Sequence, residues 1–200
     1  MKLHLWDIET ALQAEGFRVI AGVDEAGRGP LAGDVYAAAV ILPFGTVIDG
    51  LDDSKKLSEN TRERLFDEIT ELAAAYSVAS ATVAEIAELN ILGATYLAMN
   101  RAIAGLKITP DISIIDGNRN EKIEHLSRTV IKGDSLSASI AAASVLAKVS
   151  RDRYMRALDA KYPGYGFARH KGYGTAEHYA AIKKLGATPL HRELFLRKMH

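Results

Sequence analysis

The stretch Val23-Asp24-Glu25-Ala26-Gly27-Arg28-Gly29-Pro30 sets two acids, able to hold a divalent cation, directly before a Gly-Arg-Gly turn whose backbone can approach a phosphate. Metal beside phosphate points to phosphodiester chemistry. On either side, the apolar runs Arg18 to Val23 and Val35 to Leu42 predict two buried strands joined by this turn-rich segment. Further along, Leu65, Phe66, Ile69 and Leu72 recur at helical spacing within Glu59 to Ala75, with Ser58 placed to cap the start. Ser77 to Val83 then reads as a strand and Ile91 to Leu106 as a helix. A strand over Ile112 to Ile115 ends in Asp116-Gly117-Asn118, and Thr129 to Ile131 is a further short strand. Ser135 to Leu158 is a long Ala-rich helix whose small residues allow close packing on a sheet. Strands alternating with helices define an α/β chain.

Past Tyr162-Pro163 the composition changes. Lys161 to Gly174 holds four glycines and three tyrosines together with Phe167, Arg169, His170 and Lys171, the composition of a functional loop. Thr175 to Leu185 follows as a short capped helix, with a tail from Gly186 onward. The expected organisation is a catalytic domain over residues 1–160 and a small helical C-terminal subdomain over 161–200.

With 200 residues and 48% hydrophobic composition, the chain can bury a core of its own. It has no cysteine, which excludes a disulfide framework, a thiolate nucleophile and Cys-ligated metal, and leaves oxygen- or His-based metal chemistry. Asp7, Glu9 and Glu15 interrupt the opening, Met1 to Gly16, where a signal peptide would be apolar. The longest uncharged helical run, Ser135 to Ala147, is 13 residues with four serines, too short for the roughly 20 apolar residues of a membrane span. The expectation is a soluble, cytoplasmic monomer. Net charge is zero, yet residues 1–100 carry 7 Lys+Arg against 16 Asp+Glu (net −9) and residues 101–200 carry 18 against 9 (net +9). Two readings stand level: a basic face for a polyanion, or two halves that pair with each other.

Three acidic positions share one setting, the end of an apolar strand before glycine, a polar turn or a helix: Asp24-Glu25, Asp116 and Asp134. In an open α/β sheet such ends form the ligand crevice. Two ions about 3.5–4 Å apart need acids converging from separate strands, which this spacing permits. Asp24 and Glu25 would face opposite sides of a regular strand, and the glycines that follow are expected to break it so that both reach one site. Singly, each acid is as well read as a cap or a solvated turn; the four together are not.

Other chemistries fail on spacing. Gly133-Asp134-Ser135-Leu136 matches the opening block of the GDSL serine esterases, but it lies mid-chain and no Asp precedes a His by three, so Ser135 is expected to cap the long helix. His170, His178 and His191 lack the HExxH spacing of a zinc protease and are expected to be solvated or to contact substrate, and the chain has no GxxxxGK[ST] loop.

Six blocks, Asp24-Glu25-Ala26-Gly27-Arg28-Gly29, Asp53-Ser54-Lys55-Lys56-Leu57-Ser58, Ile115-Asp116-Gly117-Asn118, Lys132-Gly133-Asp134, Ala142 to Arg153 and His170-Lys171-Gly172-Tyr173-Gly174-Thr175, resemble bacterial ribonuclease HII in order and spacing across residues 20 to 192. The resemblance implies a ribonuclease H-like fold, a central mixed β-sheet flanked by helices. It further implies magnesium- or manganese-dependent endonuclease action on the RNA strand of RNA–DNA hybrids and 5′ of single ribonucleotides in duplex DNA, leaving 3′-hydroxyl and 5′-phosphate ends. Carried onto this chain, Asp24, Glu25, Asp116 and Asp134 would bind metal. Gly27, Arg28 and Gly29 would meet the ribose 2′-hydroxyl through their backbone, and Tyr173 would pack on the adjoining deoxyribose. Lys55, Lys56, Arg169 and Lys171 would hold phosphates. Two positions depart from the pattern: Asp34 stands where proline is frequent, and Glu193-Leu194 precede Phe195 where a small polar residue is usual. From another class, a nucleic-acid binder without catalysis would keep the basic face but not need four acids.

Overall fold

The computed structural model describes residues 5–197. Its elements run α1 (Asp7–Ala14), β1 (Ile20–Ala26), β2 (Val35–Ile41), α2 (Glu59–Leu72), β3 (Ala75–Ala81), α3 (Val83–Ala104), β4 (Ile112–Asp116), β5 (Ser127–Val130), α4 (Ala138–Lys161), α5 (Phe167–His170), α6 (Ala176–Leu185) and α7 (Glu193–Leu196). The strands form one mixed sheet in the order β3-β2-β1-β4-β5, antiparallel from β3 to β1 and parallel from β1 to β5.

Alternation along β2 assigns the two faces. Val35, Ala37 and Ala39 pack with Val23 and Ile115 under α3, while Ala38 and Val40 pack with Leu65 and Ile69 of α2 and the alanines of α4. The small residues of α4 matter most at Gly22, where a Cβ would fall within 3.0 Å of the backbone of Ser139 and Ile140, so helix and strand touch backbone to backbone. Residues beyond 161 join the body through a third apolar cluster, in which Tyr165, Phe167 and Ile182 meet Met155 and Leu158 of α4 and Leu31 and Ala32 of the turn segment.

Several expected boundaries move. The long helix begins at Ala138, after a 3₁₀ turn over Gly133–Ser135; Ser137, whose side chain accepts from Ile140 N, caps it, and Ser135 does not. Within α3 the helix breaks at Asn90, which takes φ 58° and whose Oδ1 accepts from Leu92 N and Gly93 N, so the helix expected from Ile91 restarts there. Before the break, Thr82 and Glu85 close a capping box that the apolar period alone did not signal. Pairing of the two halves is realised on the surface: Glu59 and Glu63 of α2 face Arg153 and Arg156 of α4, and Glu15 faces Arg128. Among the described residues no helix is long and apolar enough to cross a membrane. The last three residues of the expected C-terminal tail lie outside the described residues.

Candidate metal and nucleic-acid site

β1 carries Asp24 and β4 ends on Asp116; because the two strands are adjacent and parallel, both acids come to one edge of the sheet. The 3₁₀ turn brings Asp134 to the same edge by a direct tether, Gly133 N donating to Asp116 Oδ1 at 2.7 Å. One carboxylate oxygen from each of Asp24, Asp116 and Asp134 lies within 4.8 Å of the others, with Asp24 and Asp134 buried. Burial, with the neighbouring charges of Glu25 and Asp116, pushes Asp24 well above the usual carboxylate range; burial and the Asp134 charge raise Asp116. Three hard oxygen donors that repel one another when empty are a donor set suited to a divalent cation.

Glu25 does not join that cluster, because the strand does not break where expected. β1 runs through Ala26 with Asp24 opposite Ala38 and Glu25 opposite Ala37, so the two acids take opposite faces. The chain turns only at Gly27, at φ 99°. Glu25 Oε1 pairs with Arg28 Nη1 at 3.2 Å on the α3 side, near enough to Asp116 that the two charges oppose each other; burial still raises it.

A cleft of about 210 Å³ opens beside the acids, lined by Asp24, Glu25, Gly27, Arg28, Gly29, Lys55, Asp116, Lys148 and Tyr173 among others. Tyr173 is 44% exposed, and a Cβ on Gly29 would sit 3.6 Å from its ring, so tyrosine and turn form adjacent walls. The basic residues divide. Lys55 Nζ reaches Asp134 Oδ2 at 3.2 Å; burial works against its charge, but Asp24 and Asp134 outweigh it and hold the ammonium on. Lys56 bonds Asp52 and Ser135 at the rim. Arg169, exposed, pairs with Glu177, whereas Lys171 is largely buried, its ammonium donating to Ala168 O and lying 3.9 Å from Glu59.

The three histidines are neither solvated nor at the cleft surface: His170, His178 and His191 are buried in a stack against Phe167. Two buried arginines went unread in the sequence. Arg151 donates to the carbonyls of Ala32, Asp34 and Lys171, and Arg192 to those of Gly27, Arg28, Pro30 and Gly33. An arginine set among the apolar positions of α4 was the available signal. Asp34 accepts from Val83 N at 3.1 Å, joining the turn segment to the start of α3.

The architecture matches solved structures. The ribonuclease H2 of Pyrococcus horikoshii superposes with a TM-score of 0.75 at 28% identity, covering 91% of this chain and 97% of that one. A structure of Bst-RNase HIII in complex with Mn2+ superposes at 0.68 with 21% identity, covering 88% of this chain and 64% of that one, a likeness of fold. Fold and carboxylate site together define a metal-dependent endoribonuclease of the ribonuclease H class.

The family model for Ribonuclease HII matches residues 21–198. A Ribonuclease HII of Ruminiclostridium cellulolyticum is 56% identical over 184 residues, 92% of this chain and 72% of that protein. The chain belongs to the Ribonuclease HII family.

Proposed function

We propose that this enzyme hydrolyses the RNA strand of RNA–DNA hybrids and cuts 5′ of single ribonucleotides embedded in duplex DNA, leaving 3′-hydroxyl and 5′-phosphate ends, and so initiates removal of ribonucleotides misplaced in DNA. The observation that carries the reading is the convergence of Asp24, Asp116 and Asp134 within 4.8 Å at the mouth of a cleft walled by Gly27-Arg28-Gly29 and Tyr173. Family membership supports it; neither finding favours a binder without catalysis or a serine esterase.

Asp24, Asp116 and Asp134 would hold magnesium or manganese, with Glu25 completing the acidic edge from the other face of β1. Such ions, when bound, neutralise phosphate oxygens and lower the pKa of bound water. The chain supplies the rest. Backbone groups of Gly27, Arg28 and Gly29 meet the ribose 2′-hydroxyl, the one group that distinguishes RNA from DNA at a single position. Tyr173 stacks on the neighbouring sugar. Lys55, Lys56 and Arg169 contact phosphates, which sets register without reading bases; Lys171 would have to leave Ala168 and Glu59 to do so. Residues 161–200 act as a substrate-contacting subdomain, and the protein works as a cytoplasmic monomer.

The test is end-labelled duplex DNA containing one ribonucleotide, incubated with magnesium, manganese or chelator and mapped at nucleotide resolution. A metal-dependent cut 5′ of the ribonucleotide is expected, lost in Asp134→Asn while hybrid binding persists, and nearly unchanged in Ser135→Ala. Cleavage that survives chelator, or Ser135→Ala crippling where Asp134→Asn is mild, would refute the reading.

A further inference from the structure

One dipeptide far along the chain touches both reading loops. Arg192, 2% exposed, spends all five guanidinium N–H groups on the turn segment: Nη2 donates to Gly27 O and Gly33 O, each at 2.7 Å, Nη1 to Arg28 O at 3.0 Å and Pro30 O at 2.9 Å, and Nε to Gly33 O at 2.9 Å. Its backbone N adds a bond to Leu31 O at 2.8 Å. No peptide bond here is cis, and in a trans peptide carbonyl and N–H point oppositely. Turning the Gly27 and Arg28 carbonyls onto Arg192 therefore turns the Arg28 and Gly29 amides away from it, and these two residues line the cleft.

His191, the preceding residue, reaches the other loop. Thr188 N donates to His191 Nδ1 at 2.9 Å, so that nitrogen is unprotonated and the proton sits on Nε2. His191 Nε2 then donates to His178 Nε2, 3.1 Å away, which fixes the His178 proton on Nδ1, where it donates to the Tyr173 carbonyl at 2.9 Å. His170 closes the set: Gly172 N donates to its Nδ1, and its Nε2 donates to Tyr165 O. Every bond is satisfied with all three rings neutral, in line with the downward push that burial gives His178 and His191. A further bond, Leu31 N to Gly172 O at 2.8 Å, joins the loops directly.

We infer that His191 and Arg192 are positioning residues that fix the Gly27–Gly29 backbone and Tyr173 relative to each other, and so determine which phosphate of a mixed RNA–DNA strand is cut. This rests on the proposed function, in which one loop meets a ribose and the other the adjoining deoxyribose. A long tract of RNA offers many riboses to the first loop; only the junction satisfies both at their built-in spacing. The pair thus acts on choice of position rather than on chemistry at the carboxylates.

The experiment uses a duplex with a four-ribonucleotide tract flanked by DNA, cleaved by the full chain, Arg192→Lys and His191→Gln. Lysine has three donors on one nitrogen and cannot span four carbonyls; the glutamine variant leaves Arg192 in place and tests the pair even if Arg192→Lys fails to fold. The unaltered protein should cut at one phosphate, at the junction. Each variant should spread its cuts into the tract, lowering the junction-to-interior ratio about tenfold, as loss of one well-made polar contact allows. Loss of stability alone reduces the amount of active protein, not where it cuts. An unchanged cut pattern in folded variants, however slow, would overturn the inference; absence of any metal-dependent cut by the unaltered protein would instead overturn the reading beneath it.

Discussion

Replacing Asp24 by asparagine should stabilise the metal-free protein while abolishing its response to metal. Asp24 Oδ1 accepts from Glu25 N at 2.7 Å, and an asparagine oxygen can do the same, so the exchange is nearly isosteric. What changes is charge. Two fully ionised carboxylates with oxygens within 4.8 Å of each other repel by at least about 3.5 kcal/mol at an effective dielectric near 20. Burial and such repulsion between neighbouring acids raise the pKa of both Asp24 and Asp116, which weakens the repulsion wherever either takes up a proton, and the Lys55 ammonium offsets part of the rest. A net gain of about 1–2 kcal/mol remains for the variant without metal, or roughly 2–8 °C in melting temperature for a chain of this length. Metal at about a hundred times its Kd should raise the unaltered protein by about 2.7 kcal/mol, and Asp24→Asn by far less. Thermal melts of both proteins in chelator and across a magnesium titration read the two effects separately, without any nuclease assay. A variant less stable in chelator that still gains the full metal shift would show that Asp24 is a structural acid and that the ion sits elsewhere.

Gly22→Ala should cost about 3 kcal/mol or more, because its methyl would press on the Ser139 and Ile140 backbone, which cannot rotate aside as a side chain would; urea denaturation checks this, and a loss under about 1 kcal/mol would refute the close packing of β1 on α4. Ser137→Ala should cost about 1–2 kcal/mol and Ser135→Ala almost nothing, since Ser137 caps α4 and also donates to buried Glu9 at 2.6 Å; equal effects would refute the cap assignment. His178 supplies a pH dependence with a definite sign. Its folded pKa is pushed down to about 4, chiefly by burial, so the unfolded chain takes up a proton near pH 6.5 that the folded chain refuses until about pH 4. Its contribution is complete above about pH 6.5 and falls away as pH drops, by about 3 kcal/mol in all. Stability curves of the unaltered protein and His178→Gln, compared from about pH 7 to 4, cancel the carboxylates common to both; parallel curves would mean that folding does not shift the pKa of this ring.

Which parts of this were legible in the sequence follows a physical line. Strand cores such as Val35 to Ile41 and the helical period of Leu65 and Ile69 are local patterns, and local patterns survive folding. Asp24, Asp116 and Asp134 were legible because each follows an apolar strand or opens a helix, and adjacent parallel strands bring such ends together. The strand break expected after Glu25 does not occur, because pairing of Ala26 with Tyr36 extends the ladder past it, so Glu25 reaches the cleft that Asp24 and Asp116 also line from outside their three-acid cluster. The histidines were misread for another reason: single polar residues in a glycine-rich segment look solvated, and only the return of residues 188–191 onto α6 buries them. The capping error at Ser135 has the same root. Ser135 and Ser137 are equally plausible caps locally; the tether of Gly133 to Asp116 holds the chain in a 3₁₀ turn and delays the helix to the second serine.

The buried arginines show why the distant residues matter to the site. A loop presenting its amides to a ligand must send its carbonyls somewhere, and buried carbonyls without donors are costly. Along Gly27–Asp34 that demand is met almost entirely by two side chains: Arg192 takes four carbonyls and Arg151 takes those of Ala32 and Asp34. Neither is near the acids in sequence, and neither carries a motif for metal or phosphate. Arginine suits the task because its five donors lie in one plane and stay charged, whereas lysine concentrates three on one rotating nitrogen. Arg151 also donates to Lys171 O at 3.0 Å, so the arginine that supports one reading loop steadies the start of the other. The acidic edge is thus fixed by the sheet, while the loops proposed to choose the substrate are fixed by donors contributed from α4 and the C-terminal tail.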